Sequence, residues 1–151
     1  MIIVRAATLD DVDDMSDVLI ASITALCVAD HRNDPKAVSR WLANKRPAGI
    51  RKWFANPDNK LFVAELDGNI AAVGAISISR EIIVNYVSPE HRFRGVSKVL
   101  LKTMEVELGP GEATLTSTAT ALRFYRRMGW TDAGEVESFG GMVAYAMHKA
   151  I

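Results

Sequence analysis

The sequence predicts an α/β (α+β) fold, a mixed and mostly antiparallel sheet flanked by helices in the order βααβββαβαββ. Three observations carry that reading. Short β-branched runs alternate with segments whose apolar residues recur every three or four positions, the periods of strand and helix. Asp67-Gly68 between two apolar runs marks a hairpin, since glycine supplies the positive φ of a tight turn. A strand, a helix that begins after Gly95 and a further strand imply one parallel pair, because a crossover is needed to return a strand in the same direction.

Ile2-Ile3-Val4 is short and β-branched and opens the chain as a strand. Thr8 follows as a helix N-cap, with Asp10 and Asp11 in the first turn, where the helix dipole favours negative charge. Val12, Met15, Leu19, Ile23 and Leu26 then recur at spacings of three and four, one face of a helix. Asp34-Pro35 starts a second helix, with Val38, Trp41 and Leu42 as its apolar side. Pro47, Gly49, Asn56, Pro57 and Asp58 interrupt the pattern around a short helical piece near residues 50–54. Runs at 61–66, 70–79 and 82–87 read as an antiparallel meander. Val96, Leu100, Thr103 and Leu108 lie near helical spacing, and Gly109-Pro110-Gly111 stops that helix. Residues 113–116 read as a strand, 119–128 as a helix stopped by Gly129, and 131–136 and 142–148 as the last two strands. No repeat or linker divides the chain, so residues 1–151 read as one domain.

Apolar residues make up 49% of the chain and charged ones 24%, enough for a full core and too apolar for disorder. Eighteen Lys+Arg against eighteen Asp+Glu leave no global field for nucleic acid or an anionic membrane. Cys27 is the single cysteine, which excludes an intramolecular disulfide. The first residues lack a secretory pattern and no run of apolar residues is long enough to span a bilayer. A soluble cytoplasmic protein is the expectation.

The segment from Asn85 to Leu101 carries the chemistry. A strand ends, a loop presents Arg92, Arg94 and Gly95, and a helix begins. Free N–H groups at a helix start carry partial positive charge and bind phosphate oxygens. Gly95 lets the main chain approach a ligand, and Arg92, Arg94 and Lys98 add full charges. An ordinary βα-turn with solvated arginines accounts for the same residues equally well. Neither a P-loop nor a GxGxxG fingerprint is present.

Arg92-x-x-Gly95-x-Ser97 after Tyr86-Val87-Ser88-Pro89 resembles the acyl-CoA motif of the GNAT superfamily of N-acetyltransferases, [QR]-x-x-G-x-[GA]. Ala121-Leu122-Arg123-Phe124-Tyr125 through Gly129-Trp130 resembles that family's second signature, A-x-x-F-Y-x-x-x-G-F, and residues 145–149 are similar to its last strand. Ser97 departs from the preferred Gly or Ala but is small. Thr118 stands where many members carry Asn, so Thr118 or Ser117 would supply a hydroxyl to the pantetheine arm instead.

The resemblance implies a pair of parallel strands that splay apart to hold acetyl-CoA as cosubstrate. Tyr86 and Val87 would meet the pantetheine, and the main chain of Phe93, Arg94, Gly95, Val96 and Ser97, with Arg92, the pyrophosphate. It further implies direct attack by an amine in a ternary complex. A free amine has a pKa of about 10.4 and must lose a proton to attack, which a carboxylate assists. Glu81, eleven residues before Arg92, matches the glutamate of histone-type members. A turn carboxylate facing water is the competing account of it. Tyr125 matches the tyrosine that donates to the CoA thiolate, and the Val87 N–H is the expected oxyanion donor.

Strand alternation puts Glu81, Ile83, Asn85 and Val87 on one face, with Ile82, Val84 and Tyr86 on the other. Asn85 reads as a substrate-orienting amide or as a buried one satisfied by main chain. Asp30 would attract a cationic amine and His31 serve as an auxiliary base, although an N-cap at Asp34 within a solvated loop explains that stretch more simply. Cys27 and His31 supply two ligands, too few for a metal site, so no metal is expected. Trp41 and Trp53 read as core or dimer-contact residues. The acceptor is an amine of a small molecule or a protein, and the sequence permits a homodimer. The competing function is a non-catalytic acyl-CoA-binding sensor or regulatory module.

Overall fold

The computed structural model describes residues 1–137 and 141–151. β1 (Ile2–Ala6) leads through one 3-10 turn (Leu9–Asp11) into α1 (Val12–Leu26), α2 (Val28–His31), α3 (Pro35–Leu42) and α4 (Pro47–Ala55). The meander of β2 (Asn59–Leu66), β3 (Asn69–Ser77) and β4 (Glu81–Val87) precedes α5 (Val96–Leu108) and β5 (Glu112–Ser117). After them come α6 (Leu122–Arg127), β6 (Thr131–Glu137) and β7 (Val143–Ala150). The strands form one sheet in the order β1-β2-β3-β4-β5-β7-β6, antiparallel at every step except β4 beside β5.

Helices differ from the sequence reading in two places. Pro47 sits in the first turn of α4, where a missing N–H leaves no broken bond, so an apparent breaker starts a nine-residue helix. The stretch read as a solvated loop holds the single turn α2, ended when Arg32 takes a left-handed φ of 53°. Thr8 is the N-cap of the 3-10 turn and Asp11 that of α1; the Thr8 N–H donates to the Asp11 carboxylate at 2.8 Å. Arg5 grips the same carboxylate at 2.8 and 2.9 Å, and this pairing holds the Asp11 carboxyl down to about 2.

Apolar residues on both faces of the sheet explain its helix cover. On one face Leu100, Leu101 and Met104 of α5 are fully buried against Ala72 and Ile76. A Cβ at Gly74 would lie 2.8 Å from the Met104 sulfur, so glycine is what lets α5 approach β3. On the other face Met15 and Leu19 of α1 and Ile50 of α4 pack on Val63 and Val73.

The β4–β5 seam positions the site. Only Glu81 with Thr114 and Ile82 with Leu115 are in register, and beyond them the strands part. β4 stays laddered to β3 through Val87, and β5 to β7 through Ser117, so each strand follows its other neighbour. The register of β4 against β3 skips Ile83, a bulge at the point of parting. That bulge corrects the simple alternation: Ile82 packs with the α5 core, whereas Val84 packs with the α1 core.

Arg80 locks the closed end. It stands at φ 65°, and its guanidinium donates to the carbonyls of Leu108, Gly109 and Glu112 at 2.6, 2.9 and 2.8 Å. One side chain thus satisfies carbonyls left open at the C-terminus of α5 and ties them to the start of β5. Arg80→Ala is expected to lower the unfolding free energy by about 2 kcal/mol, measured by urea denaturation.

Candidate active site

The parted strands enclose a cleft of about 430 Å³ that runs to the start of α5 and to α6. The direction of the β4 main chain follows from its ladder. Ser88 N–H donates to Ala71 O at 2.7 Å, which makes Ala72–Val87 a non-hydrogen-bonded pair. The Val87 N–H and C=O therefore point away from β3, toward the gap that β5 has vacated.

At the α5 end Gly95 takes φ 82° as N-cap, a conformation that other residues adopt only under strain. The first intrahelical bond there is Val99 N–H to Gly95 O, so the N–H groups of Val96, Ser97 and Lys98 lack helical partners. Gly95, Ser97 and Lys98 line the cleft, while the Val96 side chain is 1% exposed and anchors the turn in the core. Arg92 and Phe93 line it too, with the guanidinium carbon 4.2 Å from the Phe93 ring centre. Phe93 is 89% exposed at φ 64°. Arg94 is exposed and does not line the cleft, whereas Arg123 and Arg127 do. Arg126, on the same helix, is paired with Asp132 instead.

Tyr125 is buried between Phe124 and Trp130 and lines the cleft. Burial pushes its phenol up to about 12, partly offset by a hydrogen bond from Asn85. Asn85 Nδ2 donates to the phenol oxygen at 2.9 Å, so Asn85 is engaged with Tyr125 and the phenol keeps its own proton to donate. Thr118 Oγ1 accepts from Ala121 N–H at 3.1 Å, capping the approach to α6. Cys27 also lines the cleft, its thiol raised to about 12 by burial and then by the nearby Asp30 charge.

A second cavity of about 320 Å³ opens on the α1 side of the sheet. It shares Val84, Tyr86, Ser117 and Thr118 with the cleft, so the two meet through the parted strands. Trp41, Trp53 and Met142 form apolar walls, and Trp41 Nε1 donates to the Tyr86 hydroxyl at 3.2 Å. Burial lowers the Lys45 ammonium in this cavity to about 8. Asn44 and Lys45 escaped the sequence reading because nothing local separates them from a polar helix–helix loop.

Several expected residues have other neighbours. Asp30 borders this cavity, but its carboxylate accepts from Ala119 N–H at 2.7 Å and from the Thr120 hydroxyl at 2.7 Å, which straps α2 to the β5–α6 turn. His31 is 2% exposed and lines neither cavity. Its Nε2 lies 2.8 Å from Ile23 O and its Nδ1 accepts from Asn33 N–H, so main chain occupies both ring nitrogens. Glu81 stands at the closed end of the seam opposite Thr114 and lines neither cavity. No group of His, Cys, Asp and Glu fit to hold a metal occurs among the described residues.

Asp30→Ala removes three charge-assisted bonds, from the Ala119 N–H, the Thr120 N–H and the Thr120 hydroxyl, and leaves the Ala119 N–H without its acceptor. The expected loss is about 2 kcal/mol of unfolding free energy in a urea titration, with Asp30→Asn losing less.

The comparisons with known proteins fit this geometry. Residues 28–151 match the family described as an acetyltransferase (GNAT) domain. A GCN5-related N-acetyltransferase from Rhodopseudomonas palustris superposes with a TM-score of 0.86 at 19% identity, over 99% of this chain and 95% of that one. The PaiA N-acetyltransferase from Thermoplasma acidophilum, solved with coenzyme A, gives 0.78 at 17% identity, over 100% and 99%. A structure described as histone acetyltransferase HPA2 and related acetyltransferase, from Corynebacterium glutamicum, gives 0.71 at 20% identity, over 99% and 96%. At such identities these likenesses establish the fold alone. No curated protein sequence matches the chain. By its family match and its sheet, this chain belongs to the GNAT acetyltransferases.

Proposed function

We propose that the protein transfers the acetyl group of acetyl-CoA to a primary amine by direct attack in a ternary complex. The observation that carries the proposal is the parting of β4 from β5 after Ile82. It leaves one cleft that holds both an open helix start and the Tyr125 hydroxyl, and that meets a second cavity on the far side of the sheet. The coenzyme A bound to the PaiA enzyme supports the same ligand here.

The chain's groups fit that ligand. The outward C=O of Val87 accepts from a pantetheine amide as a strand edge pairs with a peptide, which leaves the Val87 N–H for the acyl group. The N–H groups of Val96, Ser97 and Lys98, beside Arg92, receive the pyrophosphate. Thr118 lies where the arm passes from the cleft toward the second cavity.

The reaction forms a bond from the amine nitrogen to the acyl carbon and breaks the bond from that carbon to sulfur. The Val87 N–H donates to the acyl oxygen as negative charge builds on it. Tyr125, its phenol pushed up to about 12 by burial, holds its proton at neutral pH and gives it, or shares it, to the departing sulfur. Asn85 positions that phenol by donating to its oxygen. Glu81 takes the amine proton through water, since it lies outside the walls of both cavities.

Isothermal titration with coenzyme A and thiol release across an amine panel test the proposal. Heat on coenzyme A addition and turnover of at least one amine are expected. No heat would end the transferase reading, and binding without turnover of any amine would make the protein a sensor module. Tyr125→Phe should lower kcat by about a hundredfold with acetyl-CoA affinity little changed. Asn85→Ala should cost about tenfold in kcat, since it removes one hydrogen bond and leaves the phenol in place. Glu81→Gln should depress the rate most at low pH, where the amine is hardest to deprotonate. A mutant-to-wild-type ratio flat across pH would exclude Glu81 as base.

A further inference from the structure

Tyr86 is a second phenol at the junction of the two cavities, and it lines both. Its main chain belongs to the ladder with β3. Because Ala72–Val87 is a non-hydrogen-bonded pair, the neighbouring Val73–Tyr86 is a hydrogen-bonded one. What Tyr86 offers a ligand is therefore its side chain. Trp41 Nε1 donates to the hydroxyl oxygen at 3.2 Å, and among the described residues no group accepts the hydroxyl proton. Burial pushes the phenol well above its usual range, and negative charge on Cys27, Tyr125 or Asp30 would act in the same direction. At neutral pH the group is a neutral donor. Tyr125 is built in the same way: Asn85, the residue before Tyr86 on β4, donates to its oxygen and leaves its proton free.

Acyl transfer develops negative charge at two atoms, the acyl oxygen as the amine attacks and the sulfur as it departs. Tyr125 serves the sulfur. Resting on the transferase reading, we infer that Tyr86 is a further catalytic residue, whose hydroxyl donates to the acyl oxygen and forms with the Val87 N–H a two-donor oxyanion site. The donors come from adjacent residues of one strand but from different directions. The Val87 N–H lies in the sheet and points into the seam. The Tyr86 ring stands on the α1 face, where it packs with the α1 core and with the cluster around Trp41. The electron pairs balance without ionising Tyr86. As the C–N bond forms, the carbonyl pair moves onto oxygen and both donors tighten on it. As that pair returns, the C–S bond breaks and its electrons leave on sulfur, beside the Tyr125 proton. A hydroxyl already fixed by Trp41 needs no reorganisation at that moment, which is what makes an oxyanion donor effective.

The test is the infrared band of the thioester carbonyl, read with isotope-labelled acetyl-CoA bound to the full chain in the absence of acceptor. In the wild type the band is expected below its position in free acetyl-CoA, because donors to the oxygen weaken the C=O bond. Tyr86→Phe should move it back toward the free position with acetyl-CoA affinity little changed. A ring-fluorinated tyrosine at position 86, a more acidic phenol of nearly the same size, should move it further down. With the fastest amine of the panel, Tyr86→Phe should lower kcat by about a hundredfold. A band at one position in wild type and Tyr86→Phe, a band that fluorination leaves in place, or an unchanged kcat overturns the inference and leaves the transferase reading standing. Should Tyr86→Phe fail to fold, the fluorinated chain decides. Absence of acetyl-CoA binding, or binding without turnover of any amine, removes the underlying reading instead, so the two failures are told apart.

Discussion

The site depends on one constraint: β4 and β5 are held together at one end and each is held to a different neighbour at the other. Two register pairs and the Arg80 clamp fix the closed end. Ladders to β3 and to β7 then draw the strands apart. An open seam inside a sheet leaves main-chain donors and acceptors exposed, which is costly unless something pairs with them. The outward groups of Val87 are such a set, and a ligand with amide groups is a natural partner for them.

The bulge at Ile83 makes this geometry useful on both sides of the sheet. It sends Ile82 into the α5 core and Val84 into the α1 core, and it lies where strand pairing ends. The cleft and the cavity on the α1 side consequently share lining that includes Val84 and Tyr86. A donor on one side and an acceptor on the other can then meet without either crossing the core. Two tethers keep that lining in place. Asp30 straps the β5–α6 turn to α2, and Trp41 donates to the Tyr86 hydroxyl from α3.

Burial sets the protonation of the groups around the reaction. Tyr125 and Cys27 are both raised to about 12, so neither ionises at neutral pH. A neutral buried phenol whose oxygen already accepts from Asn85 has one remaining role toward a ligand, which is to donate. Lys45 moves the opposite way, because burial disfavours the charged form of a base.

Much of the fold was legible from local pattern: all seven strands, the Asp67-Gly68 hairpin and the glycine-started helix after β4. Those features depend on residues within a few positions of one another, so spacing and turn chemistry carry them. The start of α5 at Gly95 and the place of Tyr125 on α6 belong to the same class. Side-chain partnerships across the fold do not. Asp30 and Ala119 are 89 positions apart, and Asn85 and Tyr125 are 40. Whether Asp30 attracts an amine or straps a turn, and whether His31 faces a ligand or the Ile23 carbonyl, was decided by packing. Sequence by itself determined the strands and most of the helices, because backbone conformation follows near neighbours. Only the tertiary structure placed Lys45, Trp41 and Trp53 in one cavity and Glu81 outside it, because burial and distance arise when remote segments share a surface.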